Sequence, residues 1–394
     1  MIIPPPAQPP ARVLMGPGPS DVHPAVLQAL SRPTLGHLDP AFLTIMDETR
    51  AMLRTAFGTE NRVTIPMSGT GTAGMETCMA NLVAPGDRVL IGANGVFAPR
   101  LAEMAKRQGG EVVLVEGEWG RSIPMETLRA AANGRRFKLI AAVHAETSSG
   151  ALQDLSGLRA LADELGALTV VDAVTSLAGL PVDVDARGLD AVYSGTQKCL
   201  SCPPGLAPVT LSDRAMAAVG ARAIPPTSWY LDLALVGRYW GAERAYHHTA
   251  PVNMVYALHE ALRLTLIEGL EARYARHARH GAALAAGLEA MGLALPVPPA
   301  ERMPQLTPVL IPDGIEDKAV RGALLANYGL EIGGGLGPMK GRVWRIGLMG
   351  AASGRRNVTL CLSALSTTLQ GLGFTPKGDA LAAAAEQYSA AGPG

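Results

Sequence analysis

Ser68-Gly69-Thr70-Gly71-Thr72-Ala73-Gly74 is the stretch on which the reading of this chain turns. Gly69, Gly71 and Gly74 make a G-x-G-x-x-G, the spacing that closes around a dinucleotide pyrophosphate. Such a site also needs a strand before the glycines, a helix after them and an acid about 20 residues on. The helix is there in outline, because Ala73–Leu82 is apolar and periodic. The preceding run, Val63-Thr64-Ile65-Pro66-Met67, is short and carries a proline, which suits a central strand badly. The next strand ends Ile91-Gly92-Ala93-Asn94, with no carboxylate to hold ribose hydroxyls. An NAD-binding oxidoreductase is therefore the weaker reading. A cradle for one phosphate survives: glycines admit the backbone, threonine hydroxyls donate, and a helix N-terminus offers free N–H groups and a positive dipole.

Around this stretch, from about 21 to 215, short apolar runs alternate with amphipathic ones. Arg88–Gly92, Glu111–Val115, Leu139–His144, Leu168–Asp172 and Ala191–Ser194 are nearly continuous in Val, Ile, Leu and Ala, as buried parallel strands are. Leu101–Gln108, Met125–Ala132 and Leu155–Leu165 have helical spacing. The alternation predicts an α/β fold with right-handed crossovers and ligands at the carboxyl ends of the strands. Long helices are expected from near Asn253 to Gly269 and over Glu271–Met291. Strands near Thr307–Ile311 and Val343–Gly347 and a helix near Asp317–Tyr328 follow. This divides the chain into a Pro-rich arm (1–20), a large domain with a mainly parallel sheet flanked by helices (21–264) and a smaller α+β domain (265–394). The arm, ending Gly16-Pro17-Gly18-Pro19, is expected to be irregular and to lie over another surface, such as a second subunit.

Bulk composition narrows the function classes. With 394 residues, 48% hydrophobic and 17% charged, the chain reads as a well-cored enzyme of two domains. Zero formal net charge and no basic run argue against a nucleic-acid partner. No apolar run reaches the ~20 residues of a membrane helix, and the N-terminus lacks the features of a secretion signal, so a cytoplasmic location is expected. Cys78, Cys199, Cys202 and Cys361 form no disulfide framework. Cys199-Leu200-Ser201-Cys202 is a formal C-x-x-C without a second ligand pair, and reads as packing.

One lysine stands out. Only six of the 34 basic residues are lysines, and Lys198 follows a buried-looking strand in Ser194-Gly195-Thr196-Gln197-Lys198-Cys199-Leu200. A desolvated lysine loses its proton more readily and becomes a nucleophile. The alternative is a stem that snorkels to solvent. Asp172 ends the apolar run Val170-Val171-Asp172, where a carboxylate needs a partner. His144-Ala145-Glu146-Thr147-Ser148-Ser149-Gly150 follows another strand and supplies hydroxyls. Phosphate cradle, hydroxyl loop, aspartate and lysine together describe a pyridoxal 5′-phosphate (PLP) site.

The chain resembles the class V, fold-type I aminotransferases of the alanine–glyoxylate, serine–pyruvate and serine–glyoxylate type. The resemblance runs through MGPGPSDVHP, GHLDPAF, SGTGTAGMET, PGDRVLIGANGVF, HAETSSG, VVDAVTSLAG, YSGTQKCLSCPPG, SWYLDL, YHHTAPV and VWRIGLMG. It implies that Lys198 forms the Schiff base and shuttles the proton, and that Asp172 pairs with the ring nitrogen. Thr147 would contact the phenolic oxygen, with Val174 and Phe97 on the two ring faces. Thr70, Gly71, Thr72 and Gln197 would hold the phosphate. Tyr246 and Thr249 would reach the phosphate of a neighbouring subunit, making the active unit a homodimer. Arg345 would bind the substrate carboxylate, with Gly18 and Thr147 beside the substrate. Phe97 stands where many members have tryptophan, and Thr72 where some have histidine. His247-His248 hints at a metal, but adjacent histidines on a strand would face opposite ways, so none is expected.

The implied reaction is ping-pong transfer of the amino group of a small amino acid, alanine or serine, to glyoxylate or pyruvate. No basic group for a distal carboxylate is evident in the sequence. Alternatives within the class are a ureidoglycine–glyoxylate aminotransferase and a cysteine desulfurase-like enzyme. The latter is disfavoured by Phe97 in place of a stacking histidine and by Cys361 in an apparent helix. Outside the class stand the NAD-binding oxidoreductase and a non-catalytic cofactor-binding protein.

Overall fold

The computed structural model describes residues 3–390. The chain enters as a two-residue strand, β1 (Val13–Leu14), and continues through β2 (Val63–Ser68), β3 (Arg88–Ala93), β4 (Glu111–Glu116) and β5 (Leu139–Val143). A small hairpin, β6 (Ala145–Glu146) with β7 (Ala151–Leu152), precedes β8 (Leu168–Asp172), β9 (Ala191–Tyr193) and β10 (Leu206–Leu211). Among the described residues the main sheet has seven strands in the order β2-β10-β9-β8-β5-β3-β4. The pairings from β9 through β4 are parallel, while β10 runs antiparallel to both β2 and β9. Every residue of β5 and β8 is buried, because helices cover both faces of the sheet.

The fingerprint strand β2 lies at the sheet edge, and Pro66 faces Pro208 of β10 in register. An edge tolerates a residue with no ladder donor. The glycines therefore open the helix Gly71–Leu82 from an edge strand.

The strand Leu168–Asp172 and the helix Met125–Ala132 form over the expected residues. The helix expected from Leu101 begins earlier, at Phe97, because Pro99 is compatible with a first turn. The one expected from Leu155 begins at Leu158, behind Gly157 at φ +80°. The reversed strand β10 was not anticipated.

Downstream, the helices Val252–Glu268 and Leu270–Ala290 lead to β11 (Leu306–Leu310), β12 (Leu330–Glu331), β13 (Gly333–Gly334) and β14 (Val343–Gly347). β14 is central in the order β11-β14-β13. Among the described residues there are two large hydrophobic clusters, one drawn from Val26 to Leu262, the other from Ala283 to Tyr388 with Met15 of the arm added, and a small third one of Ala145, Cys199, Met303, Leu306 and Met349. The arm corrects its expectation. Val13 and Leu14 pair in parallel with Leu330 and Glu331, so this part of it is regular and packs on its own chain, while residues 3–12 are exposed. No helix of the described residues is long and apolar enough to cross a membrane.

Candidate active site

The carboxyl ends of β5 and β8 open into a cavity lined by Gly71, Thr72, Phe97, Thr147, Asp172, Val174, Gln197 and Lys198, with Met75 and Arg100. Eight expected site residues, far apart in sequence, thus share one wall. Thr70 sits at the N-cap of helix Gly71–Leu82, exposed and outside that wall. Tyr246, 63% exposed, and Thr249, also exposed, are outside it as well.

Lys198 does not snorkel; it is only 8% exposed. Its Nζ donates to the carbonyl of Pro17 in the arm. The arm is fastened to the lysine loop by Ser20, whose Oγ donates to Lys198 O at 2.6 Å and whose N–H donates to Gln197 O at 2.9 Å. Gly18, at φ +103°, lies against the lysine stem, and a Cβ there would come within 2.7 Å of Nζ. Burial, then the Arg345 charge, lowers the Lys198 pKa to about 8, against the opposing pull of Asp172 and Glu146. About a tenth of the amine is therefore neutral at pH 7, far more than for an ordinary lysine, and the neutral form is the nucleophile.

Asp172 is buried at the end of β8. Its Oδ1 accepts from Val174 N at 2.8 Å and its Oδ2 from the Tyr193 hydroxyl at 2.7 Å. Burial raises its pKa to about 6, opposed by those two hydrogen bonds. Beside it lies a second buried carboxylate, Glu146, which sequence reading passed over as part of a hydroxyl loop. Its Oε2 accepts from Phe97 N at 3.1 Å, and its Oε1 from Ser148 N at 2.9 Å and Ser148 Oγ at 2.6 Å. Glu146 thus ties the N-terminus of helix Phe97–Arg107 to the loop bearing Thr147, where the helix dipole favours a negative charge.

Arg345, buried in the middle of β14, donates through Nε to Gly334 O at 2.7 Å and through Nη1 to Thr147 O at 3.1 Å. The Gly333–Gly337 segment is therefore a backbone support for the arginine. Burial lowers its pKa, with the Glu146 charge opposing. Arg100 is exposed, with its guanidinium 5.0 Å from the centre of the Phe97 ring. It is a basic group on the cavity wall that its place in a helix hid from sequence reading.

A profile of the class-V aminotransferases matches residues 14–339. The chain belongs to that family. It is 41% identical to the (S)-ureidoglycine–glyoxylate transaminase of Bacillus subtilis over 97% of each chain. It is 38% identical to the alanine–glyoxylate aminotransferase of Oryctolagus cuniculus, covering 92% of this chain and 93% of that one. A crystal structure of alanine–glyoxylate aminotransferase from Nostoc sp. superposes with a TM-score of 0.92 at 49% identity, over 93% of this chain and 98% of the other.

Aminotransferases of this class depend on PLP, and the residues present fit that group. Gln197 lines the same end of the cavity as Gly71 and Thr72, where its side-chain amide N–H can donate. The helix starting at Gly71 has unpaired N–H groups in its first turn. A Cβ on Gly71 would press to 3.2 Å from Val174 Cγ2, narrowing the cavity. A dianionic phosphate suits that end, and Asp172 and Lys198 suit the ring end.

One further assumption is revised, that the histidine pair sits on a strand. His247 and His248 are not on a strand; their Nδ1 atoms lie 2.8 Å apart and their rings meet edge to face. His248 Nε2 also contacts Ser68 Oγ at 2.9 Å. Among the described residues no group of three or more His, Cys, Asp or Glu is arranged to hold a metal. Cys199 and Cys202 are free and buried, and burial pushes both thiols up, to about 11 and about 12.

Proposed function

We propose that this aminotransferase moves the amino group of alanine or serine to glyoxylate, or to pyruvate, in two half-reactions. The observation that carries the reading is that buried Lys198 and Asp172 line one cavity while buried Arg345 is hydrogen-bonded to Thr147 of the same wall. Bound PLP supplies the carbonyl that takes up the amino group and a protonated ring that withdraws the electrons left at Cα.

The chain's own residues do the rest. Arg345 binds the α-carboxylate through its planar fork. Its hydrogen bonds to Gly334 O and Thr147 O fix that fork beside the cavity. Lys198, once free, is the general base at Cα, and burial keeps its amine available for that role. Asp172 holds the proton on the ring nitrogen. Thr147 would hydrogen-bond the cofactor's phenolic oxygen, Val174 and Phe97 would flank its ring, and Thr70, Gly71, Thr72 and Gln197 would hold its phosphate.

The active unit in this reading is a homodimer, with Tyr246 and Thr249 reaching the partner's phosphate. Their exposure supports it, as do exposed Ile224 and Trp229 on the same stretch of chain, at 70% and 59%. Four free, buried cysteines fit a reducing, cytoplasmic compartment.

A second reading has (S)-ureidoglycine as donor; the 41% identity to the Bacillus subtilis transaminase favours it. One experiment separates the two. The holoenzyme is given alanine, serine or ureidoglycine, and conversion of the bound cofactor is followed by its spectrum, with glyoxylate or pyruvate added to reverse it. Alanine or serine reacting fastest supports the first reading. Reaction with ureidoglycine alone replaces it with the second.

A further inference from the structure

Tyr193 has no part in the chemistry above. It is the last residue of β9, paired in register with Asp172 of β8, and is fully buried. The third fingerprint glycine leaves room for the start of its side chain, since a Cβ on Gly74 would stand 3.2 Å from Tyr193 Cβ. Phenylalanine would fill that space equally well. A phenol hydroxyl adds a desolvation cost, recovered only through a hydrogen bond. Its acceptor is Asp172 Oδ2, at 2.7 Å.

We propose that Tyr193 is a positioning residue for the cofactor's ring nitrogen, acting through Asp172: its hydroxyl holds one carboxylate oxygen and keeps that carboxylate ionised and fixed in direction. The proposal rests on the assignment of Asp172 to the ring nitrogen. With Val174 N–H on the other oxygen, each oxygen has one donor and a remaining lone pair. The groups facing Asp172 are Tyr193 from β9, Glu146 from β6, Lys198 from the lysine loop and the Cys78 thiol from helix Gly71–Leu82. Glu146 pushes the Asp172 pKa up and Lys198 pulls it down; Tyr193 is the largest single influence holding it down against burial. Tyr193 itself stays protonated, since burial raises its own pKa well above 10. Losing that donor raises the Asp172 pKa, so the carboxylate that pairs with a protonated ring is populated only at higher pH.

The test uses the full-length protein freed of cofactor and pyridoxamine 5′-phosphate, which binds without the lysine linkage, so Lys198 titration does not dominate. Binding is measured by calorimetry across pH for wild type, Tyr193→Phe and a Tyr193→3-fluorotyrosine protein, whose more acidic phenol donates more strongly. The expected result is an acid limb displaced upward by about one pH unit in Tyr193→Phe, or about tenfold weaker binding below it, with curves converging at alkaline pH. The fluorinated protein moves the limb the other way. An analogue with carbon in place of the ring nitrogen is expected to bind all three proteins alike. Superimposable pH curves in all three overturn the role of Tyr193 and leave the cofactor assignment standing. A Tyr193→Phe defect equally large with the carbon analogue also overturns it, since the residue then only packs. Failure of the wild type to bind pyridoxamine phosphate at any pH removes the Asp172 assignment and this proposal together.

Discussion

Gly18 and Lys198 are in direct contact although 180 residues separate them in the chain. A methyl group at Gly18 would stand 2.7 Å from the lysine Nζ, and φ +103° is a conformation other residues rarely adopt. The arm therefore forms one wall of the lysine's surroundings.

Gly18→Ala tests that wall. The substitution is expected to destabilise the protein by ~1 kcal/mol through backbone strain, read as a lower Tm. It should also slow PLP uptake by the apoprotein by about tenfold, a 1.4 kcal/mol effect. Uptake at the wild-type rate would show that the arm yields freely.

Lys198→Ala is expected to abolish the visible absorbance of the bound cofactor and lower turnover by ~10³-fold or more. An unchanged spectrum would remove the central assignment.

Uptake of PLP by the wild-type apoprotein should accelerate as pH rises through about 8, the value to which burial and Arg345 lower Lys198. The sign follows from the amine being the reactive form: below that pH the ammonium dominates. Stopped-flow rates that stay flat across this range would contradict a lysine titrating there.

Asp172→Asn keeps the lysine linkage and is expected to lose ~10²-fold or more in kcat, since a neutral amide no longer stabilises charge on the ring nitrogen. Full activity with the cofactor bound would contradict that role.

Arg345→Lys should raise KM for the amino donor by about tenfold or more, because an ammonium cannot replace a planar fork on a carboxylate. Arg345 also supports Gly334 and Thr147, so the KM effect is read together with Tm. An unchanged KM would place the carboxylate elsewhere.

Asp172 was legible because it ends a buried strand, and Lys198 because it follows one within a few residues, both patterns contained in a short run of sequence. Pro66 was legible too: it argued against a central strand, and β2 is at the edge. Glu146 was in view but its task was not, since its acceptor role toward Phe97 N spans 49 residues. Arg100 was hidden in the same way, because only the fold brings its helix to the cavity wall. The histidine pair was misjudged because the strand assumed for it does not form.

By itself the sequence determined the alternation of buried strands and helices, the family and the chemical types of the principal groups, because periodicity and motif spacing are properties of neighbouring residues. Tertiary structure alone decided that the arm closes over Lys198, that β10 runs backwards, and that Glu146 and Tyr193 each brace a residue of the cavity wall. Those contacts join groups from separate strands and loops. They arise only when burial of the sheet's two faces brings distant segments together, and no local pattern encodes which segments those are.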